Sequence, residues 1–533
     1  MNTNSDVLFA QELEAENQHS NTFSTLKLNI NVQFDQNRVL NSLFKLITKK
    51  YTADDDWVPM FTILHECTHF WHWIGTTLGF YSSRLTMAQS YYVHMIMKDL
   101  DKAGFDKFPV PLIELDVDQI PHEFQENVEA AVKLWKSLEY HKQALLGYEP
   151  DFPLDAHTFF HQVYPDVFSA LVGFDRATRQ FGPPGVSDYE SIYADSDRKS
   201  YKSILTPGNY IYQLIHSSEG KLYPISGRAI LEGAAIWQEI SLLGQMMGFI
   251  PDGEYSSRFQ LYSGSIYGVC FRLASRYLDP FKEVAALRFL PYLFDLAMMG
   301  MFDPLYTEPI TDDISWLDIY PGIRFHRALI AAKELNFPNP LYAPDDAYLE
   351  LVDKICKREK WLSPSEMTQH AERFTVKSFE EHELYHNLPK FTNLNPYSEV
   401  RRRHCEAMKA RKQDPVIFIN ILEKFPDLFG AQKPYDPPLR PTMVVGDEHG
   451  IVDFRILGFF IFHKLMKEIA SGSLNGLNEQ GIFPNALREH LVSDEVDQQH
   501  PGLYGATVNL MVLFVWNRIG FSKERFVNLT DWP

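Results

Sequence analysis

The sequence predicts a mainly α protein with a small β component, and three observations carry that prediction. Apolar residues recur at helical spacing through most of the stretch from Asn37 to about residue 350. One early segment, TLKLNINVQFD, instead alternates strictly, with Leu26, Leu28, Ile30, Val32 and Phe34 on one side, and reads as a half-buried strand. The chain is 45% hydrophobic and 14% aromatic over 533 residues, which is ample material for a large packed interior.

Taken in order, residues 1–22 are polar and acidic and are expected to be a flexible N-terminus. Residues 23–350 form the expected helical main domain, interrupted at FPVPL (108–112), FGPPG (181–185) and LTPGN (205–209). Residues 351–533 form a mainly helical C-terminal region. It holds a charged helical segment at 361–413 and a proline-rich joint, KPYDPPLRP, at 433–441. A hairpin is expected near 442–454, turning around Asp447, Glu448, His449 and Gly450. Two apolar helices, near 456–470 and 503–517, close the chain.

Charge and cysteine usage narrow the function. A formal net charge of −19 disfavours a nucleic-acid or anionic-membrane partner. The basic run with Arg401, Arg402, Arg403, Lys409, Arg411 and Lys412 reads as a solvated helix face. The four cysteines are widely separated and form no CxxC pair, so no disulfide framework or zinc ribbon is expected and a reducing cytoplasm fits. The N-terminus lacks the basic and apolar regions of a signal peptide. The most hydrophobic late segment, LYGATVNLMVLFVW (503–516), is shorter than the ~20 residues that span a bilayer.

The chemistry concentrates in ILHECTHFWHW, which holds His-Glu-x-x-His at His65, Glu66 and His69. On a helix, histidines at i and i+4 share a face and can hold one Zn²⁺. The intervening glutamate can then take a proton from the attacking water. Around this motif Thr62, Ile63, Leu64, Cys67, Thr68, Phe70 and Trp71 are all uncharged. Asp54, Asp55 and Asp56 offer N-cap acceptors and Pro59 suits a first turn, so a buried helix running to Gly75 or Gly79 is expected. The pattern recurs at His382, Glu383 and His386, but Glu380, Glu381 and the nearby Pro389 mark a short charged surface helix there. That copy is read as coincidence.

A catalytic zinc needs a third protein ligand and one open position. The continuation HExxHxxGxxH fails, because His72 stands in the place of the glycine and Gly75 in the place of the histidine. His72 is read as a core or supporting residue. A second buried helix, ISGRAILEGAAIWQEISLLGQMMG (225–248), offers Glu232 as the third ligand and Glu239 as the fallback, with Ser226 as its cap. Gly233, Ala234 and Ala235 are small enough to admit a close helix crossing, while Arg228 could instead pair with Glu232.

HECTH on one apolar helix followed by LEGAA on another resembles the gluzincin type of zincin metallopeptidase, over perhaps 45 residues. The resemblance implies a zincin-like catalytic region with large helical insertions, His65, His69 and Glu232 as zinc ligands, and Glu66 as general base. Tyr262, Tyr267 and His326, with Arg324 beside the last, are candidate stabilisers of a developing oxyanion. The expected function is a cytoplasmic zinc peptidase acting on a protein or peptide. Two alternatives stand beside it. One is a regulatory protein with a structural or degenerate zinc site, closed by a fourth ligand such as His72. The other is a non-peptidase metalloenzyme with a two-His, one-carboxylate site.

Overall fold

The first regular elements are strands β1 (Thr22–Ser24) and β2 (Asn29–Val32). The computed structural model describes residues 22–24, 29–52 apart from 33, 54–146, 225–247, 268–278, 283–300, 320–335, 344–371, 396–429 and 441–445. It adds scattered positions within 166–174, at 439, and within 463–471 and 520–526. Helices dominate this set. They are α1 (Gln36–Thr48), α2 (Trp57–Gly75), α3 (Thr77–Lys102), α4 (His122–Leu146), α5 (Gly227–Met247) and α6 (Val269–Tyr277). Further along come α7 (Glu283–Met298), α8 (Pro321–Glu334), α9 (Asp345–Glu359), α10 (Pro364–Ala371), α11 (Pro396–Gln413) and α12 (Ile421–Phe429). Strand β3 (Thr442–Val445) follows.

The alternating segment is half right. Ile30 and Val32 are buried as the pattern requires. Thr22–Ser24, however, pairs antiparallel with Asn29–Val32, so the region holds two short strands where one was expected. β3 joins this sheet from the far end of the chain and runs parallel to β2, in the order β1-β2-β3. Its partner is therefore an early strand; the second arm of the expected hairpin, up to 454, lies outside the described residues. The expected helices at 503–517 and most of 456–470 lie outside them as well.

α2 is the centre of the described assembly. It packs most closely on α5, and α1, α3, α11 and the sheet also touch it. Elements from beyond residue 350 thus rest directly on the helix that carries HECTH. The three aspartates before α2 work differently from the expected cap. Asp56 makes no side-chain cap bond. Asp55 and Asp56 instead pair with Lys45 and Arg38 of α1, fastening the two helices side by side.

The helix stops at Gly75, within the expected range. Thr76 is extended and caps α3 by accepting from the Gly79 amide at 3.3 Å. A Cβ at Gly79 would lie 2.0 Å from the Trp73 carbonyl oxygen, so only glycine permits this tight reversal between α2 and α3.

The basic run on α11 is only in part the expected solvated face: Lys412 is exposed, and Arg402 and Lys409 are partly so. Arg403, His404 and Arg411 are buried. Arg411 donates twice to Asp295 of α7 at 2.8 Å and also to the Gly75 carbonyl at 2.9 and 3.1 Å. His404 Nδ1 donates to the Ile74 carbonyl at 2.9 Å, its ring stacked on Phe80. The last carbonyls of a helix have no intrahelical partner and carry its negative dipole end. α11 supplies those partners for α2, which lets that end be buried. The four cysteines are all buried as free thiols. Among the described residues no helix is long and apolar enough to cross a membrane.

Candidate metal centre

The middle of α2 faces α5, and the polar side chains of the two helices meet in an otherwise apolar layer. His65 and His69 stand one turn apart on α2, and their rings pack edge to face at 4.6 Å. Glu232 reaches them from α5. Its Oε2 lies 3.3 Å from His65 Nε2 and 3.2 Å from His69 Nε2, and the two nitrogens are 3.0 Å apart. Three donor atoms thus make a nearly equilateral triangle. Ligands bound to one ion at about 2.0–2.1 Å in a tetrahedron lie about 3.4 Å apart, so the triangle needs only slight widening to admit Zn²⁺.

The tautomer of His65 suits this role. Its Nδ1 lies 2.7 Å from Glu239 Oε1, and an ionised carboxylate only accepts. Nδ1 therefore carries the proton when the ring is neutral, and the lone pair sits on Nε2, inside the triangle. Glu239, the fallback ligand, belongs to the far side of the ring. Arg228 sits one turn before Glu232, its Nε 3.7 Å from Glu232 Oε1, so the ion pair that stood as the alternative to a ligand role forms alongside the histidine contacts.

The electrostatics follow from burial among opposite charges. Burial works against a charged His65, but Glu232, Glu239 and Glu66 outweigh it and hold its pKa well above the ordinary 6.5. Burial likewise opposes charge on Glu232, and the two histidines overcome it, holding its carboxyl well below the usual range. Glu66 is 8% exposed, and its carboxylate is close enough to act on His65 and to help burial raise the Cys67 thiol.

The remaining candidates divide plainly. His72 is buried with Nε2 on the Phe418 carbonyl at 2.9 Å, and burial first of all pushes its pKa down to about 3. It is a neutral core histidine, as expected. His326 faces the Tyr277 hydroxyl at 2.7 Å and is pushed down to about 4 by burial. Arg324 donates to the Leu296 carbonyl and lies over the Trp361 ring at 4.3 Å. Neither joins the triangle; His65, His69 and Glu232 make up the metal-competent cluster among the described residues. Tyr262, Tyr267 and the second motif at His382, Glu383 and His386 lie outside the described residues.

Gly233, one of the small residues beside Glu232, lies at a close crossing, with α6 and α7. A Cβ at Gly233 would meet Phe294 of α7 at 3.0 Å and Cys270 of α6 at 3.4 Å. Sequence reasoning missed the role of Glu239. The signal available was its position seven residues after Glu232, two turns along the same face. Set against known protein families, characterised proteins and solved structures, the chain matches none of them.

Proposed function

We propose that this chain is a zinc-dependent hydrolase, a peptidase acting on a protein or peptide, with His65, His69 and Glu232 as ligands and Glu66 as general base. One observation carries the proposal: three donor atoms from two buried helices converge at 3.0–3.3 Å. Without a cation, three electron-rich atoms at that spacing are held together only by protons on the histidines. Zn²⁺ bound there would supply Lewis acidity toward a carbonyl and lower the pKa of a water.

The chain's own residues do the rest. Glu66 follows His65 directly on α2, and its carboxylate accepts the proton of the attacking water and returns it to the leaving amine. His65 keeps its orientation through Glu239. His72 donates elsewhere, to Phe418, which argues against a closed four-ligand site completed by that residue. Four buried free thiols and the absence of an apolar spanning helix among the described residues are compatible with the cytoplasm, where we place the protein.

Elemental analysis of the purified protein tests the metal. The expected result is one zinc per chain, lost in His65→Ala. A chain without stoichiometric metal sinks the proposal, and one iron per chain selects the two-His, one-carboxylate redox alternative. Full zinc without hydrolysis of any peptide selects the regulatory one.

A further inference from the structure

Arg228, Glu232 and Glu239 occupy one face of α5, at i−4, i and i+7 relative to the ligand. That single stripe carries the third donor and two charged groups that touch the donor set from outside. Glu239 binds the nitrogen of His65 that does not enter the triangle, at 2.7 Å. Arg228 approaches the oxygen of Glu232 that does not enter it, at 3.7 Å. Both contacts therefore act on the ligands' outer atoms and not on the inner ones.

We infer that Glu239 and Arg228 are positioning residues that hold the site in a three-ligand arrangement with an exchangeable position. Glu239 keeps His65 in the tautomer whose Nε2 lone pair points inward. Arg228 holds Glu232 Oε1 outward, so that the carboxylate binds through one oxygen and does not fill a second position as a chelating pair. The inference rests on the metal reading above and deepens it, because it separates a catalytic site from a saturated structural one.

Cobalt(II) is the probe, since its visible absorption is strong in four-coordinate sites and weak in five- or six-coordinate ones. The full-length protein is stripped with a chelator and loaded with Co²⁺, and affinity is measured by competition with a chromophoric chelator. Glu239→Ala is expected to loosen cobalt about 10–100-fold, with Glu239→Gln, whose amide oxygen can still accept from Nδ1, recovering most of the loss. Arg228→Gln is expected to weaken the absorption as Glu232 turns to chelate, and Arg228→Lys to keep the wild-type spectrum.

Circular dichroism confirms that each variant is folded, and the conservative variants carry the test if the alanine change does not fold. Unchanged affinity in Glu239→Ala, or an unchanged spectrum in Arg228→Gln, overturns the assigned role. Retention of cobalt by Glu232→Ala together with its loss from Glu239→Ala overturns it by exchanging ligand and support. A wild-type protein that takes up no cobalt overturns the underlying metal reading instead, which is a distinguishable failure.

Discussion

The middle of α2 and its C-terminal end both bury polar groups, and they satisfy them in different ways. At the C-terminal end every contact joins a donor to an acceptor. His72 meets the Phe418 carbonyl, His404 meets the Ile74 carbonyl, and Arg411 bridges Gly75 and Asp295. In the middle, two histidine nitrogens and one carboxylate oxygen converge on a common point. Donor–acceptor pairs hold the first arrangement together, with His72 Nδ1 left over, whereas the second leaves lone pairs facing one another unless a proton or a metal ion lies between them. The lesson is that burial of histidine says little; the character of the atoms facing it distinguishes a fastener from a candidate site.

The sharpest test of that contrast is Glu66→Gln, which removes the proposed base and keeps the triangle. Zinc content should stay at the wild-type value while peptide hydrolysis falls by about 10²–10⁴-fold, measured on a casein digest. A variant that remains active would remove Glu66 from its role. At the C-terminal end of the helix, Asp295→Ala strands the buried Arg411 guanidinium. Destabilisation of about 3–5 kcal/mol is expected in urea unfolding, with metal content per folded chain unchanged. A loss below about 1 kcal/mol would mean that α11 does not secure this end of α2 as described.

The middle and the C-terminal end of α2 should also respond to pH with opposite signs in chelator-treated protein. His65 has a raised pKa in the fold, so its stabilisation is complete below the ordinary 6.5 and is lost as pH rises through the folded value. His72 has a depressed one. The unfolded chain then binds the extra proton, and stability is lost as pH falls from 6.5 toward about 3. Unfolding is measured between pH 5 and 9, a range in which Glu232 itself stays ionised in the fold. His65→Gln should flatten the alkaline side of that curve and His72→Gln the acid side. Identical curves for both variants would erase the distinction. The smallest effect is expected from the double substitution His382→Ala with His386→Ala, which should leave zinc stoichiometry untouched; a halved content would make the second motif a site.

Much of this was legible before any coordinates. The uncharged surroundings of His65 and His69 predicted a buried helix because charge cannot be left there without partners, and the helix ends at Gly75 as its glycine signals suggested. Glu232 stood out for the same reason: an acid on a largely apolar helix must be answered by something, a property it shares with Glu239. The burial of Arg403 and Arg411 was not. A basic run looks the same whether water or a buried aspartate faces it, and Asp295 lies 116 residues away along the chain. The parallel partner of β3 was equally hidden, since strand pairing across the length of a chain leaves no local signature.

The sequence by itself determined the mainly helical class, the buried character of α2 and α5, and the residue types able to hold a metal, because periodicity and the cost of buried charge act locally. Only the tertiary structure decided which carboxylate meets which nitrogen. Glu232 and Glu239 share one helix face and the same chemistry, and their roles separate through the packing of α5 on α2. That packing sets one carboxylate inside the triangle and the other behind the His65 ring.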